Sequence, residues 1–359
     1  MFLESPSGGF KVVYEYANRL QRRGHKVTLV HPRNISPSTG LIDLVKQHLW
    51  APRLRWRHRG EPIPWFPLDR SVKVELVADL RERFIPDGEV IIATAFQTAA
   101  AVASCGRRKG QRFHLIQSFE SWMGAEEAVR ESWRLPLRKI VVSGWLEQIA
   151  REIGVEDQTT RIPIGLDFTH FRVTQPIEDR WPARIGMLAH PLPIKGTSDG
   201  FTALEIVRRQ HPEIEAVVFG TEQPGWRLES GSSWPDWISY QQQPAPAELV
   251  ALYNSCQIFL HPSRLEGWGL PGAEAMACGC ALVAARNQGI EEFAVDEVNA
   301  LLAPVESPSI LAEKVLRLLG DGPLRRRLAR EGARHIQRFD WERSVTQFEE
   351  LVSSPTISP

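Results

Sequence analysis

Cysteine, tyrosine and surplus charge are all scarce in this chain of 359 residues. It has four cysteines, four tyrosines, and 43 basic residues against 43 acidic ones. Each shortage excludes something. Cys105, Cys256, Cys278 and Cys280 show no spacing of a disulfide framework. Cys278 and Cys280 flank Gly279 without the further ligands that a metal site needs close by, and they read as core residues. A formal net charge of zero supplies no field to draw nucleic acid or an acidic surface. No apolar run approaches the ~20 residues of a membrane-spanning helix, and no secretory signal pattern is visible. A reducing, cytoplasmic location is therefore expected. What remains is a hydrophobic content of 43% and a charged content of 24%, the composition of a globular protein. The length suits two domains of ordinary size.

The most informative stretch is 263–285, SRLEGWGLPGAEAMACGCALVAA. Before it, the apolar residues 258–260 read as a buried strand. The segment RLEGWGLPG reads as a tight loop, and Pro271 suits the first turn of a helix, where its missing N–H is no loss. That helix is expected over 272–278, closed by Gly279 in a left-handed conformation, with a strand returning over 280–285. Gly267 and Gly269 let the backbone approach a ligand closely. The unpaired N–H groups of the helix start favour an anion. Glu266 and Glu274 can accept hydrogen bonds from hydroxyl groups. One loop thus offers backbone donors to phosphate and two carboxylates to two sets of hydroxyls.

This stretch resembles the E-x7-E signature of the family 4 glycosyltransferases, retaining enzymes of the GT-B fold. The resemblance implies that Glu274 holds a nucleotide ribose and that Glu266 faces the donor sugar. It also implies that the backbone of Gly267, Trp268, Gly269 and Leu270 meets sugar and diphosphate. Trp268 stands where the family usually has Phe or Tyr. The fold implied is α/β, with two Rossmann-like domains facing each other across a cleft and a C-terminal helix crossing back to the first.

The rest of the chain is read in that light. Residues 2–3 are a short apolar stub, followed by ESPSGG, a helix over 10–23 and a strand over 26–31. The helix carries Phe10, Val13, Tyr14, Ala17 and Leu20 on one face. Gly8 and Gly9 resemble the family's glycine-rich loop near the donor phosphates, and Gly9 is a donor-site candidate. The basic, aromatic residues 43–70 read as a solvated loop whose aromatics fold onto the core; contact with an anionic membrane or lipid phosphate is the other reading. Strands are expected at 90–95, 114–117 and 140–143, with helices at 98–105 and 144–153. Many relatives carry a His near the strand end at 117; here Gln117 stands there, and Gln117, Glu120 and Trp122 are candidate acceptor contacts. RIPIGLDFTHF, 161–171, resembles the segment entering the second domain, with Ile164 in place of Asn. The domains are expected at 1–172 and 173–338, with the returning helix at 339–352.

The second domain opens as the first does: a strand at 185–188, the loop AHPLPIKG, a helix over 198–209 with Ser198 as N-cap, and a strand at 216–219. Ligands of such sheets bind beyond the carboxyl ends of the strands. Lys195, in that loop, can neutralise charge growing on a departing diphosphate. The family has an Arg slightly upstream; here His190 takes its place, able to donate a hydrogen bond. A strand at 238–241 carries Tyr240, a candidate contact to the base, core or surface placement being equally open. Helices are expected at 246–256, 307–319 and 324–337.

By resemblance, then, the chain is a retaining glycosyltransferase. It would move a sugar from a nucleoside-diphosphate sugar to a hydroxyl of a glycan, glycolipid or other acceptor, with surface polysaccharides and glycoconjugates as the family's commonest products. Peripheral contact with the inner membrane face follows from that work, and no nucleic acid partner is expected. No Asp-x-Asp pair occurs, and no cofactor or metal is expected, since Lys195, the 267–270 backbone and the helix start can hold the diphosphate. A non-catalytic sugar-binding or partner subunit of the same fold and a nucleotide-sugar epimerase are the alternatives.

Overall fold

The computed structural model describes residues 6–35, 63–181, 183–221 and 235–354. The apolar stub 2–3, most of the basic stretch 43–70 and residues 222–234 lie outside these residues. The chain forms two compact units. One comprises Met1–Pro163 with Glu342–Pro359, the other Ile164–Trp341.

In the first unit, helix α1 (Gly8–Arg22) leads to strand β1 (Thr28–Pro32), which pairs in parallel with β2 (Lys73–Val77). Strands β3 (Val90–Ala93), β4 (Gln111–Ile116), β5 (Arg138–Val141) and β6 (Thr159–Arg161) form a second parallel sheet in sequential order. Between them run α2 (Phe96–Ser104), α3 (Glu126–Arg134) and α4 (Gly144–Ile153). The expected face of α1 does pack inward: Tyr14 and Ala17 join Leu29, Ile63, Phe66 and Val72, with Phe10, Val13 and Trp65 beside them. Trp65 thus folds onto the core. A second face of α1 is buried as well, because the last helix, α10 (Trp341–Ser353), covers it. Tyr16 meets Phe348 at 4.5 Å between ring centroids, and Arg23 donates to Glu349 at 2.7 Å and to Glu342 at 2.8 Å. Gln111 at the start of β4 also donates to the Val352 carbonyl.

The second unit is a six-stranded, wholly parallel sheet. Its strands are β7 (Arg184–Leu188), β8 (Glu215–Gly220), β9 (Ile238–Gln242), β10 (Ile258–His261), β11 (Ala281–Ala285) and β12 (Ala300–Ala303), in the spatial order β12-β11-β10-β7-β8-β9. Every residue of β10, β11 and β12 is buried, as a sheet covered on both faces requires. Helices α5 (Thr197–Gln210), α6 (Pro246–Ser255) and α7 (Leu270–Ala277) connect strands, and α8 (Pro308–Gly320) and α9 (Gly322–Ile336) follow β12. Taken from β7 onward the order is that of a doubly wound nucleotide-binding fold, and its direction reverses between β7 and β10. Such a reversal opens a crevice at the carboxyl ends of the two strands.

Several boundaries differ from expectation for local reasons. Ser198 is not the N-cap of α5; Gly196 is, with φ of 59°. Gly8 and Gly9 are the first turn of α1 rather than a loop before it. Helix α7 starts at Leu270, with Gly269 as N-cap and Pro271 in the first turn, and Gly279 follows it at φ 82° as expected. The units part before Ile164, not after Arg172. The backbone N–H of Leu166 donates to Phe339 O at 2.8 Å, and Phe171 lies edge-on to Tyr253 at 6.3 Å. Segment 164–171 is therefore built into the second unit, and that unit holds the chain as far as Trp341.

Candidate functional site

The two loops that flank the reversal of the sheet meet. After β7, a short turn over Pro193–Lys195 carries Lys195; after β10, the chain runs through Arg264 and Glu266 to α7. The Arg264 N–H donates to the Ile194 carbonyl at 2.7 Å. Arg264 also reaches Asp199 in the first turn of α5 through Nε and Nη2, at 2.8 and 2.9 Å. Gly196 makes this approach feasible: a Cβ there would lie 2.1 Å from the Pro262 carbonyl oxygen, besides needing a left-handed backbone.

At the junction Lys195 Nζ donates to Glu266 Oε1 at 2.8 Å. Glu266 is buried and Lys195 half-buried. Burial alone would raise the Glu266 carboxyl; the charge of Lys195 opposes it and, with a hydrogen bond from Ser263, leaves the group below the usual carboxylate range. Glu266 is thus an anion, and its negative charge is matched by Lys195. A third loop closes in behind: the Glu266 N–H donates to Asn287 O at 3.3 Å, and Glu266 forms an isolated parallel bridge with Gln288. A Cβ on Gly289 would lie 2.5 Å from Glu266 O, so this loop packs against the signature loop with no room for a side chain.

Glu274 lies one turn into α7, buried, and accepts from the Tyr253 hydroxyl of α6 at 3.1 Å. Burial, and then the Glu274 charge, push the Tyr253 phenol well above its ordinary value, so it remains protonated and serves as a donor. His190 is fixed at the other side of the β7 loop. Its N–H donates to Thr197 Oγ1 at 2.9 Å, its carbonyl accepts from the same hydroxyl at 2.8 Å, and its Nδ1 accepts from Leu192 N–H at 3.1 Å. With Nδ1 an acceptor, the neutral ring carries its proton on Nε2.

The structure therefore brings Lys195, Glu266, Gly267, Gly269, Leu270, Glu274 and His190 to the carboxyl end of one sheet. Tyr240 arrives at the same end on edge strand β9. Its ring packs partly on the core, and its hydroxyl would be 2.9 Å from a Cβ on Gly220. The Trp268 ring is buried against Phe293 at 4.9 Å and Phe339 at 5.5 Å, facing the core, which leaves its backbone for a ligand. In the first unit Gln117 donates to the Gly9 carbonyl at 3.2 Å, bringing those two candidates together. Glu120 accepts from the Phe96 N–H at 2.8 Å and caps α2; burial raises its carboxyl above the usual range. Sequence reasoning missed Tyr253, His261, Asn287 and the Arg264–Asp199 pair. Only His261 had a signal, its place directly before the signature loop.

With this geometry in view, comparisons with known proteins are specific. Residues 180–335 match the family model described as glycosyl transferases group 1. The matched segment lies within the second unit. An uncharacterised glycosyltransferase of Methanocaldococcus jannaschii is 36% identical over 98 residues, 27% of this chain and 28% of that protein. A D-inositol 3-phosphate glycosyltransferase of Corynebacterium efficiens is 34% identical over 121 residues, 34% of this chain and 28% of that protein. The chain thus matches well under two thirds of the length of these curated relatives. Among solved structures, Anabaena HepE in complex with UDP-glucose superposes with a TM-score of 0.74 at 16% identity, covering 98% of this chain and 97% of that one. At that identity the likeness is one of fold. It extends the GT-B fold over both units, and the matched segment 180–335 contains all the residues of the Lys195–Glu266 site.

Proposed function

We propose that the protein is a retaining glycosyltransferase that takes its sugar from a nucleoside-diphosphate sugar and passes it to a hydroxyl of a glycan, glycolipid or related acceptor. One observation carries this reading: a lysine and a glutamate, paired at 2.8 Å, sit where the doubly wound sheet reverses, with a second buried glutamate one helical turn on. Lys195, the start of α7 and the 267–270 backbone receive the diphosphate and stabilise its growing charge as it leaves. Glu266 accepts hydrogen bonds from the sugar hydroxyls, and Glu274 from the ribose. His190 donates from Nε2, and Tyr240 lies toward the base. Gln117 and Glu120 serve the acceptor. The departing phosphate itself takes the acceptor proton, so no enzymic nucleophile is assigned, and the diphosphate is held without a metal. UDP is the first nucleotide to try, since HepE was solved with UDP-glucose.

The test is a thermal-shift panel with UDP, GDP, dTDP and ADP and their common sugars, with and without EDTA. At a hundredfold excess over Kd a specific nucleotide should raise the midpoint by roughly 5–10 °C. EDTA should leave the shift intact and Glu274→Gln should remove most of it. The glutamine keeps an acceptor for the Tyr253 hydroxyl, so the loss reports the ribose contact rather than collapse of the helix pair. A shift abolished by EDTA would refute the metal-free site. An unchanged shift in Glu274→Gln would refute the ribose assignment.

A further inference from the structure

His261 ends β10 beneath the site and has no role in the scheme above. Its imidazole is 2% exposed, and its Nε2 is buried with no hydrogen-bond partner, 3.9 Å from Glu266 Oε1. A buried polar nitrogen left unpaired is uncommon and asks for an explanation. The tautomer is fixed from the other side of the ring. Asn287 Oδ1 accepts from the Ile290 N–H at 3.0 Å, which turns the amide nitrogen toward Ser263 O at 3.0 Å and His261 Nδ1 at 3.5 Å. Nδ1 is therefore the acceptor, and the proton sits on Nε2, aimed at the carboxylate. Burial holds the ring below its ordinary value; Glu266 works against this and Lys195 with it, so the group is a neutral donor rather than a cation.

In the structure Lys195 occupies Glu266 Oε1. On the function proposed above, that same lysine must turn to the diphosphate when a donor binds. Glu266 would then be a buried anion without its cation, which is costly unless another donor takes it. We propose that His261 is that donor: as Lys195 leaves for the diphosphate, Glu266 moves onto His261 Nε2–H, which keeps the carboxylate aimed at the sugar. No proton changes hands, and His261 is a positioning residue acting through Glu266. The Lys195–Glu266 pair thus closes the site on itself, and donor binding exchanges one partner of Glu266 for another.

The exchange is tested without any nucleotide. In Lys195→Met, the full-length protein labelled with nitrogen-15 at histidine should show a downfield, exchange-protected Nε2–H resonance that the unsubstituted protein lacks. The signal is assigned to His261 by its loss in Lys195→Met/His261→Gln. It should also vanish in Lys195→Met/Glu266→Leu, whose side chain has no acceptor. No new resonance in Lys195→Met, or one that survives Glu266→Leu, overturns the proposal whether or not the chain transfers sugar. The second measurement is calorimetric binding of UDP and UDP-glucose to His261→Phe and His261→Gln. His261→Phe should keep UDP affinity within about twofold and lose about tenfold for UDP-glucose, one hydrogen bond's worth, while His261→Gln recovers most of it. Equal losses for both ligands, or no recovery in His261→Gln, also overturn it. Absence of UDP and UDP-glucose binding to the unsubstituted protein counts against that donor and leaves the resonance experiment to decide.

Discussion

Lys195→Ala should lower kcat about a hundred- to a thousandfold, the usual loss when one preorganised charge-stabilising donor is removed. The proposed leaving group is a diphosphate, and Lys195 is the cation that the β7 loop holds at the sheet reversal, 2.8 Å from Glu266. The same substitution leaves Glu266 buried without the Lys195 charge, so its carboxyl rises from its depressed position. The acid limb of the pH–rate profile should therefore move to higher pH. Stability follows the same sign. With the folded value depressed, the contribution of Glu266 is present above the ordinary carboxylate range and is lost as pH falls through the folded value. In Lys195→Ala acid unfolding should begin at higher pH. Lys195→Arg keeps the charge and should recover part of both. Steady-state kinetics with a pH series checks this; a kcat within about threefold of the original protein would remove Lys195 from the chemistry.

Arg180→Met should cost about 3–5 kcal/mol of stability, a fall in midpoint of roughly 8–16 °C. Arg180 is 2% exposed, and its guanidinium is spent on acceptors rather than on a carboxylate. It donates to Gln175 O at 2.9 Å, Cys256 O at 3.1 Å, Cys278 O at 2.7 Å and Asn254 Oδ1 at 3.1 Å. These join the segment before β7 to the end of α6 and the end of α7. Methionine fills comparable volume but leaves those acceptors unpaired, each costing about 1–3 kcal/mol in part-buried surroundings. The site residues are untouched, so at low temperature the folded variant should bind nucleotide as before. Chemical denaturation decides; a loss below about 1 kcal/mol would show that water replaces the guanidinium.

Arg180 also shows where the sequence misleads. In the chain it stands among prolines and charges and reads as linker; only the convergence of distant carbonyls makes it core. The second unit was otherwise legible, because β7, β8, β10 and β11 are apolar runs, with a loop and a helix after β7 and after β10, and α5 to α9 lie close to their expected ranges. Lys195 and Glu266 stand out as polar residues in loops after buried strands, and Glu274 through the resemblance to the E-x7-E signature. Tyr253 and His261 did not, since each sits among apolar neighbours and reads as packing. Trp268 looked like a loop residue because its partners, Phe293 and Phe339, are far away in sequence. Strand order was invisible, as pairing is a tertiary choice. Strands β2, β6 and β12 went unforeseen because they are short or half-exposed, and α3, EEAVRESWR, because its charges hide the buried Val129 and Trp133.

The last helix carries a consequence for synthesis. A ribosome releases α1 long before α10, yet these two pack together in one unit, through Tyr16 and Phe348 and through Arg23 with Glu342 and Glu349. The second unit is continuous from Ile164 to Trp341 and can fold as soon as it emerges. The nascent first unit must meanwhile wait, with one side of α1 bare, until translation has passed the whole of its younger neighbour.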